Sequence, residues 1–82
     1  MYDVQDTHKA VRSRIARRIR ELRHRHALTQ EALAQRSGLS PRHLQKLEAG
    51  QINVTIESLV KITNALEVDV SQLFIEPCTE IE

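Results

Sequence analysis

Residues 40–50, SPRHLQKLEAG, carry arginine, histidine, glutamine and lysine on a segment long enough for one short helix. At 100° per residue, one side of that helix collects three residues that would face the interior: Leu44, Leu47 and Glu48. The polar side can donate paired hydrogen bonds to base edges, because a guanidinium matches guanine O6 and N7 and a glutamine amide matches adenine. Three residues are therefore predicted to contact DNA bases: Arg42, Gln45 and Lys46.

The flanking residues predict that this helix follows another short helix after a tight turn. Thr29 can cap the earlier helix, and Gly38 can end it because a residue without Cβ adopts a left-handed backbone without a clash. Ser40 is a suitable cap for the next helix, and Pro41 suits its first position. Two short helices joined by a three- or four-residue turn containing glycine form a helix-turn-helix unit.

A longer helix is predicted before this unit, from apolar residues at helical spacing. Its inward stripe consists of Val11, Ile15, Ile19 and Leu22. Asp6 or Thr7 is placed to cap its start. Arg17 and Glu21 have the i,i+4 spacing of a helical ion pair.

After Gly50 the pattern predicts two further helices, and no segment alternates like a β-strand. The fourth helix is capped by Thr55 and turns four residues inward: Ile56, Leu59, Ile62 and Leu66. Asp69 and Gln72 have the spacing of a capping box that begins a fifth helix. The sequence therefore predicts an all-α protein with five helices.

The composition limits the class of protein. Eighty-two residues suffice for one domain, with its core in residues 15–74 and flexible tails at 1–6 and 76–82. The single cysteine, Cys78, excludes an intrachain disulfide and is typical of a reducing compartment. No apolar run approaches the roughly 20 residues of a membrane span. A cytoplasmic protein without a membrane partner is the expectation.

Charge is distributed unevenly along the chain. Residues 1–50 hold 11 lysines and arginines against 5 acidic residues, a net charge of +6, whereas residues 51–82 hold 1 against 6, a net charge of −5. A basic half on a nearly neutral chain favours a polyanionic partner. Only Tyr2 and Phe74 are aromatic, which argues against a binder of single-stranded nucleic acid, since such proteins stack bases on aromatic rings.

The motifs LTQEALA, SGLS, LQKLEAG and LVKITNALEV occur in an order and spacing that resembles the Cro/C1-type (XRE) family of DNA-binding domains, over residues 15–74. The resemblance implies a compact five-helix, lambda-repressor-like domain whose third helix enters the major groove. Ala27 stands where that family usually has glycine. The end of the first helix is therefore expected to turn through His26.

The same resemblance implies roles for residues around the third helix. Gln30 begins the second helix, where the family contacts the phosphate backbone, and free helix N–H groups suit that role. A lone carboxylate is costly on the buried side, so Glu48 needs a partner. The family pairs it with an arginine late in the first helix, and Arg23 occupies the matching place. Three more residues are expected to meet phosphates: His43, Gln51 and Asn53.

Other chemistries have little support in the sequence. His24 and His26 are two residues apart and point to different sides of a helix, and Cys78 is distant, so no metal or other cofactor is expected. No nucleophile and base are grouped in a way that suggests an enzyme. No small-molecule ligand is evident.

These observations predict a sequence-specific transcriptional regulator that binds double-stranded DNA, similar to compact repressors and to controller proteins of restriction-modification systems. One helix-turn-helix reads few base pairs, so a homodimer on a pseudo-palindromic operator is expected, with half-sites about one helical turn apart. The alternative is a protein-interaction module of the same fold, an antitoxin or a coactivator subunit, which would expose apolar residues on the third helix. RNA is disfavoured because a recognition helix fits B-form major grooves better.

The dimer contact is predicted in the acidic half, because the basic half must face DNA. A short fifth helix can bury Leu73 or Val70, but it cannot turn the apolar side chains that follow into the same small core. An exposed apolar remainder of this kind marks an interface. The predicted interface residues are Val70, Phe74 and Ile75.

Overall fold

Four α-helices and one 3₁₀ segment make up the computed structural model, which describes residues 4–74 and their side chains from Thr7 onward. In chain order the elements are α1 (Val4–Arg25), α2 (Gln30–Ser37), α3 (Pro41–Glu48), α4 (Ile56–Leu66) and the 3₁₀ segment (Val70–Phe74). Between residues 4 and 74 there is no β-strand, so the all-α class is confirmed, with a 3₁₀ turn in place of a fifth α-helix. The predicted tail at 76–82 lies outside the described residues.

The first helix begins earlier than the capping signals predict. It starts at Val4, so neither Asp6 nor Thr7 is its cap, and residues 4–6 of the predicted N-terminal tail are helical. The first 25 residues contain no glycine or proline, the two residue types that most disfavour a helix interior. The result is a helix that extends past the core, since residues 7–11 are all exposed.

The core lies where one face of each element meets the others. Its buried members are Ile15, Ile19, Leu22, Leu33, Ala34, Leu44, Leu47, Leu59, Ile62, Leu66 and Leu73. The predicted stripes of α1 and α4 are right except at their first members, Val11 and Ile56, which are 40% and 80% exposed. Val11 lies one turn before the core begins. Ile56 lies roughly 90° around α4 from the mean direction of its buried residues.

Three helices begin at the caps that the sequence predicts. The side-chain oxygens of Thr29, Ser40 and Thr55 each accept a hydrogen bond from the backbone N–H three residues later, at 3.0, 3.0 and 3.1 Å. Gly38 ends α2 with a φ of 78°, and Pro41 occupies the start of α3. Each cap stabilises its helix by about 1 kcal/mol, because it satisfies a backbone donor that has no partner within the helix.

The turn after α1 is made by Ala27 and not by His26, which corrects the sequence-based expectation. Ala27 has a φ of 54°, in the left-handed region. The backbone N–H of Leu28 then donates to the carbonyl of Arg23 at 3.1 Å, which closes the end of the helix. A Cβ in this conformation costs about 1–2 kcal/mol, which the family's usual glycine would avoid.

The 3₁₀ segment is attached to α1 by Arg18, a residue that is 4% exposed. Its guanidinium donates to the Gln72 carbonyl oxygen at 2.6 Å and to Gln72 Oε1 at 3.1 Å. It also pairs with Glu21 at 2.5 Å, so the predicted pairing of Glu21 with Arg17 is wrong. Burial explains the choice, because a buried guanidinium needs partners and an exposed one does not.

The predicted capping box before the 3₁₀ segment is only half formed. Asp69 Oδ2 accepts a hydrogen bond from the Ser71 backbone N–H at 2.9 Å. Hydrogen bonds from the side chain and backbone of Ser71 lower the pKa of Asp69 below its usual value. The side-chain oxygen of Gln72 accepts from Arg18 instead of completing the box. The tertiary contact therefore takes precedence over the local one.

Candidate nucleic-acid interface

The outer face of α3 is polar and exposed, and its inner face is buried. Leu44, Leu47 and Glu48 are almost fully inaccessible, whereas the predicted base-reading residues are all exposed: Arg42, Gln45 and Lys46. These three residues line one shallow groove, which we call the α3 groove. Its other lining residues are Gln30, Glu31, Pro41, Ala49 and Gln51.

A buried ion pair holds α3 against α1. Arg23 Nε donates to Glu48 Oε2 at 2.8 Å, and Arg23 Nη2 donates to Oε1 at 3.0 Å. The third nitrogen, Nη1, donates to the backbone carbonyl of Leu28 at 2.9 Å. Arg20 also donates to the backbone carbonyl of Glu48, at the end of α3. The two-pronged geometry of this pair fixes orientation as well as distance.

Gln30 connects the same pair to α2. Its amide nitrogen donates to Glu48 Oε1 at 2.9 Å, so the side chain is held at the edge of the α3 groove. The resemblance implied a phosphate contact but gave no sign of this hydrogen bond. An amide nitrogen carries two N–H groups, so one N–H of Gln30 is left for a partner outside the pair.

The predicted phosphate contacts do not all lie in the α3 groove. Gln30 and Gln51 line it, whereas His43 and Asn53 are not among its lining residues. His43 is half-buried, and its backbone N–H is capped by Ser40. Asn53 is exposed in the loop after α3, where its side-chain oxygen accepts a hydrogen bond of 3.0 Å from Arg12.

Two residues near this surface escaped the sequence-based prediction. Glu31 lines the α3 groove and is exposed, which adds a negative charge to an otherwise basic and amide-rich surface. In the sequence it reads as a favourable charge in the first turn of α2. Arg12 is 41 residues from Asn53 in the chain, and no local pattern predicts their contact.

An exposed apolar patch lies on the 3₁₀ segment. The sequence left open whether Leu73 or Val70 enters the core. Leu73 is 1% exposed and does so, while Val70 and Phe74 are 38% and 55% exposed. Ile75, the third predicted interface residue, lies outside the described residues.

Metal and membrane sites were sought within residues 4–74. In that part of the chain, no group of three or more histidine, cysteine, aspartate or glutamate residues is arranged to hold a metal ion. None of its helices is long and apolar enough to cross a bilayer.

Two short helices joined at a left-handed glycine, with a polar helix face held by a buried ion pair, define a helix-turn-helix domain. The chain belongs to the helix-turn-helix family HTH_3, whose family model matches residues 19–73. The resemblance to Cro/C1-type domains is thereby confirmed. The family consists of DNA-binding transcriptional regulators.

Solved structures of regulators share this fold. The restriction-modification controller protein C.AhdI from Aeromonas hydrophila is 37% identical, with a TM-score of 0.77 over 79% of this chain and 98% of that one. An HTH_3 family transcriptional regulator from Vibrio cholerae is 35% identical (TM-score 0.78; 80% of this chain, 37% of that one). The clp gene regulator ClgR from Corynebacterium glutamicum is 30% identical (TM-score 0.75; 78% and 68%). No curated protein matches the sequence.

Proposed function

We propose that this protein is a sequence-specific transcriptional regulator that binds double-stranded DNA with α3 in the major groove. The observation that carries the proposal is the exposed face of Arg42, Gln45 and Lys46 on a helix fixed by the Arg23–Glu48 ion pair. A rigid helix that offers a guanidinium, an amide and an ammonium group has the donors needed to read base edges. The small side chain of Ala49 lets the helix approach the DNA closely.

Within this proposal the side chains divide by position. Arg42, Gln45 and Lys46 read bases from the centre of the α3 groove, while Gln30 and Gln51 bind phosphates at its edges. Gln30 is suited to this role because Glu48 orients its amide and leaves one N–H available. A phosphate contact of this kind positions the protein on DNA without reading its sequence.

We further propose that the protein binds DNA as a homodimer through the patch of Val70 and Phe74. A single α3 spans about 12 Å, so it can contact only a few base pairs. Two copies related by a twofold axis would read two half-sites about one helical turn apart. The near-complete coverage of C.AhdI favours a controller-type regulator built from this one domain.

The alternative, a protein-interaction module of the same fold, has less support. Such a surface would expose large apolar side chains on α3. The exposed large apolar residues of the described chain are Val11, Ile56, Val60, Val70 and Phe74, and all of them lie on other elements.

In-vitro selection from random duplex DNA tests the proposal. The expected result is an enriched, pseudo-palindromic sequence, and sedimentation of its complex should give two protein chains per duplex. Arg42→Ala should lose the enrichment at one or two positions of each half-site. Failure of the wild-type protein to enrich any sequence would overturn the proposed function.

A further inference from the structure

The N-terminal half of α1 has no role in the packing of the domain. Residues 7–11 are exposed, the first core residue is Ile15, and the family match begins only at residue 19. This half is nevertheless basic, with Lys9 and Arg12 among its residues. Its contacts with the loop after α3 indicate a function.

Arg12 is the central residue of this region. Its Nη1 donates to Asn53 Oδ1 at 3.0 Å, across 41 residues of sequence. Its Nε is buried and has no hydrogen-bond partner among the described residues. A buried donor without a partner is costly, so the position is suited to a ligand that brings an acceptor.

A cavity opens beside Arg12. The described residues that line it are His8, Val11, Arg12, Ile15, Asn53 and Val54, and none of these is a carboxylate. Three of the six carry hydrogen-bond donors, and Asn53 has its oxygen turned to Arg12, which leaves its amide N–H groups for another partner. A cavity with several donors, one of them cationic, is suited to an anion.

The loop that carries Asn53 leaves the C-terminal end of α3 and runs beside α1. Gln51 still lines the α3 groove, two residues before Asn53, and a Cβ placed on Gly50 would lie 3.8 Å from the Ser13 backbone. The eight residues of α3 span about 12 Å, which is close to the width of the major groove. A loop leaving the end of such a helix therefore meets the sugar-phosphate backbone at the groove edge.

We propose that Arg12, together with Asn53, binds a DNA phosphate outside the α3 groove, so that α1 extends the interface along the backbone. The inference rests on the proposed function, since it requires duplex DNA as the ligand. Arg12 supplies the charge, and Asn53 orients the guanidinium and adds an amide N–H. Because phosphates are alike at every base pair, this contact adds affinity and not sequence preference.

The experiment measures the affinity of the full chain for its selected duplex and for a random duplex, between about 50 and 200 mM salt. Arg12→Gln removes the charge at this site. Lys61→Gln is the matched control, because Lys61 is exposed on α4 in the acidic half and its substitution makes the same charge change. Circular dichroism establishes that each variant is folded.

Arg12→Gln should lower the slope of log affinity against log salt by about one for each protomer, because one phosphate contact contributes about 0.9 to that slope. At 0.1 M salt the loss is about eightfold per contact, since a slope of 0.9 over the decade from 1 M gives 10 to the power 0.9. Both duplexes should lose affinity equally, and Lys61→Gln should match the wild type.

Two further variants separate phosphate binding from a purely structural role of Arg12. Arg12→Lys keeps the charge and should keep most of the salt slope. Asn53→Ala removes the link to the loop but leaves the charge, so it should weaken binding with a smaller change in slope. If Arg12 only anchors the loop, Arg12→Gln and Asn53→Ala will weaken binding equally, with the wild-type slope, and the inference is wrong.

The remaining outcomes are also decisive. If Arg12→Gln binds DNA like the wild type but sediments as a smaller assembly, the cavity contacts a second protein chain and the phosphate site is refuted. If the wild type binds no duplex at all, the proposed function fails and this inference fails with it. A wild type that binds DNA, with an unchanged affinity and slope for Arg12→Gln, refutes the inference alone.

Discussion

Replacing Arg23 with methionine is expected to destabilise the domain by about 3–5 kcal/mol, because it leaves a buried carboxylate without its counter-charge. Arg23 donates two hydrogen bonds to Glu48, at 2.8 and 3.0 Å, and Glu48 is only 2% exposed. Hydrogen bonds to charged groups contribute about 1.5–3 kcal/mol each, which gives a loss of the same size. Methionine retains most of the apolar stem, so lost packing contributes little.

The remaining contacts cannot compensate for this loss. After the substitution, Glu48 Oε1 keeps the amide of Gln30, but Oε2 has no other side-chain partner in the described chain. A domain of this length has a total stability of about 4–12 kcal/mol, so the variant should be marginally folded. The melting temperature should fall by roughly 12–40 °C, at about 4–8 °C for each kcal/mol.

Urea denaturation followed by circular dichroism measures the effect. Arg17→Met is the matched control, because Arg17 is exposed on the same helix and its loss should change stability by less than about 0.5 kcal/mol. The double variant Arg23→Met, Glu48→Leu removes both charges and should recover most of the stability. A denaturation midpoint of Arg23→Met equal to that of Arg17→Met would refute the reasoning.

Arg42→Ala should weaken binding to the selected duplex by about 1–3 kcal/mol and affect random duplex less, as measured by fluorescence anisotropy; an equal loss on both would make Arg42 a phosphate contact. Glu31→Gln should tighten binding to any duplex by about 0.5–1 kcal/mol at low salt, since it removes a negative charge from the α3 groove; unchanged affinity would place Glu31 away from the DNA. Ala27→Gly should raise the free energy of unfolding by about 0.5–1 kcal/mol, because glycine relieves the left-handed strain but loses more chain entropy; a lower urea midpoint contradicts this. Phe74→Asp should yield a folded monomer in sedimentation, and a folded variant that stays dimeric would place the interface elsewhere.

The sequence predicted best those features that depend on residues close together in the chain. The caps at Thr29, Ser40 and Thr55 require only a side-chain oxygen and an N–H three residues later, and all three form. The buried side of α3 follows from helical periodicity alone. Helix periodicity gives directions around an axis, however, and not where a neighbouring element ends. This is why Val11 and Ile56 were wrongly placed in the core.

Contacts between distant residues could not be predicted in the same way. Arg17 and Arg18 are both within reach of Glu21, and the choice between them depends on which one the 3₁₀ segment buries. Likewise, the contact between Arg12 and Asn53 forms only because the loop after α3 runs along α1. The turn at Ala27 was misassigned for a different reason. Alanine rarely adopts a left-handed backbone, so local propensity favoured another residue, and the helix end imposed the conformation.

The ion pair of Arg23 and Glu48 explains how so short a helix can present a fixed polar face. An isolated helix of eight residues is not stable in water, and α3 buries only two large apolar side chains, Leu44 and Leu47. Two leucines anchor the helix but restrain its rotation about its own axis weakly. Glu48 supplies that restraint, because it is joined to α1 through Arg23 and to α2 through Gln30. A rotation of α3 would break these directional bonds, so the direction of its outer side chains is set by a charged residue on its inner side.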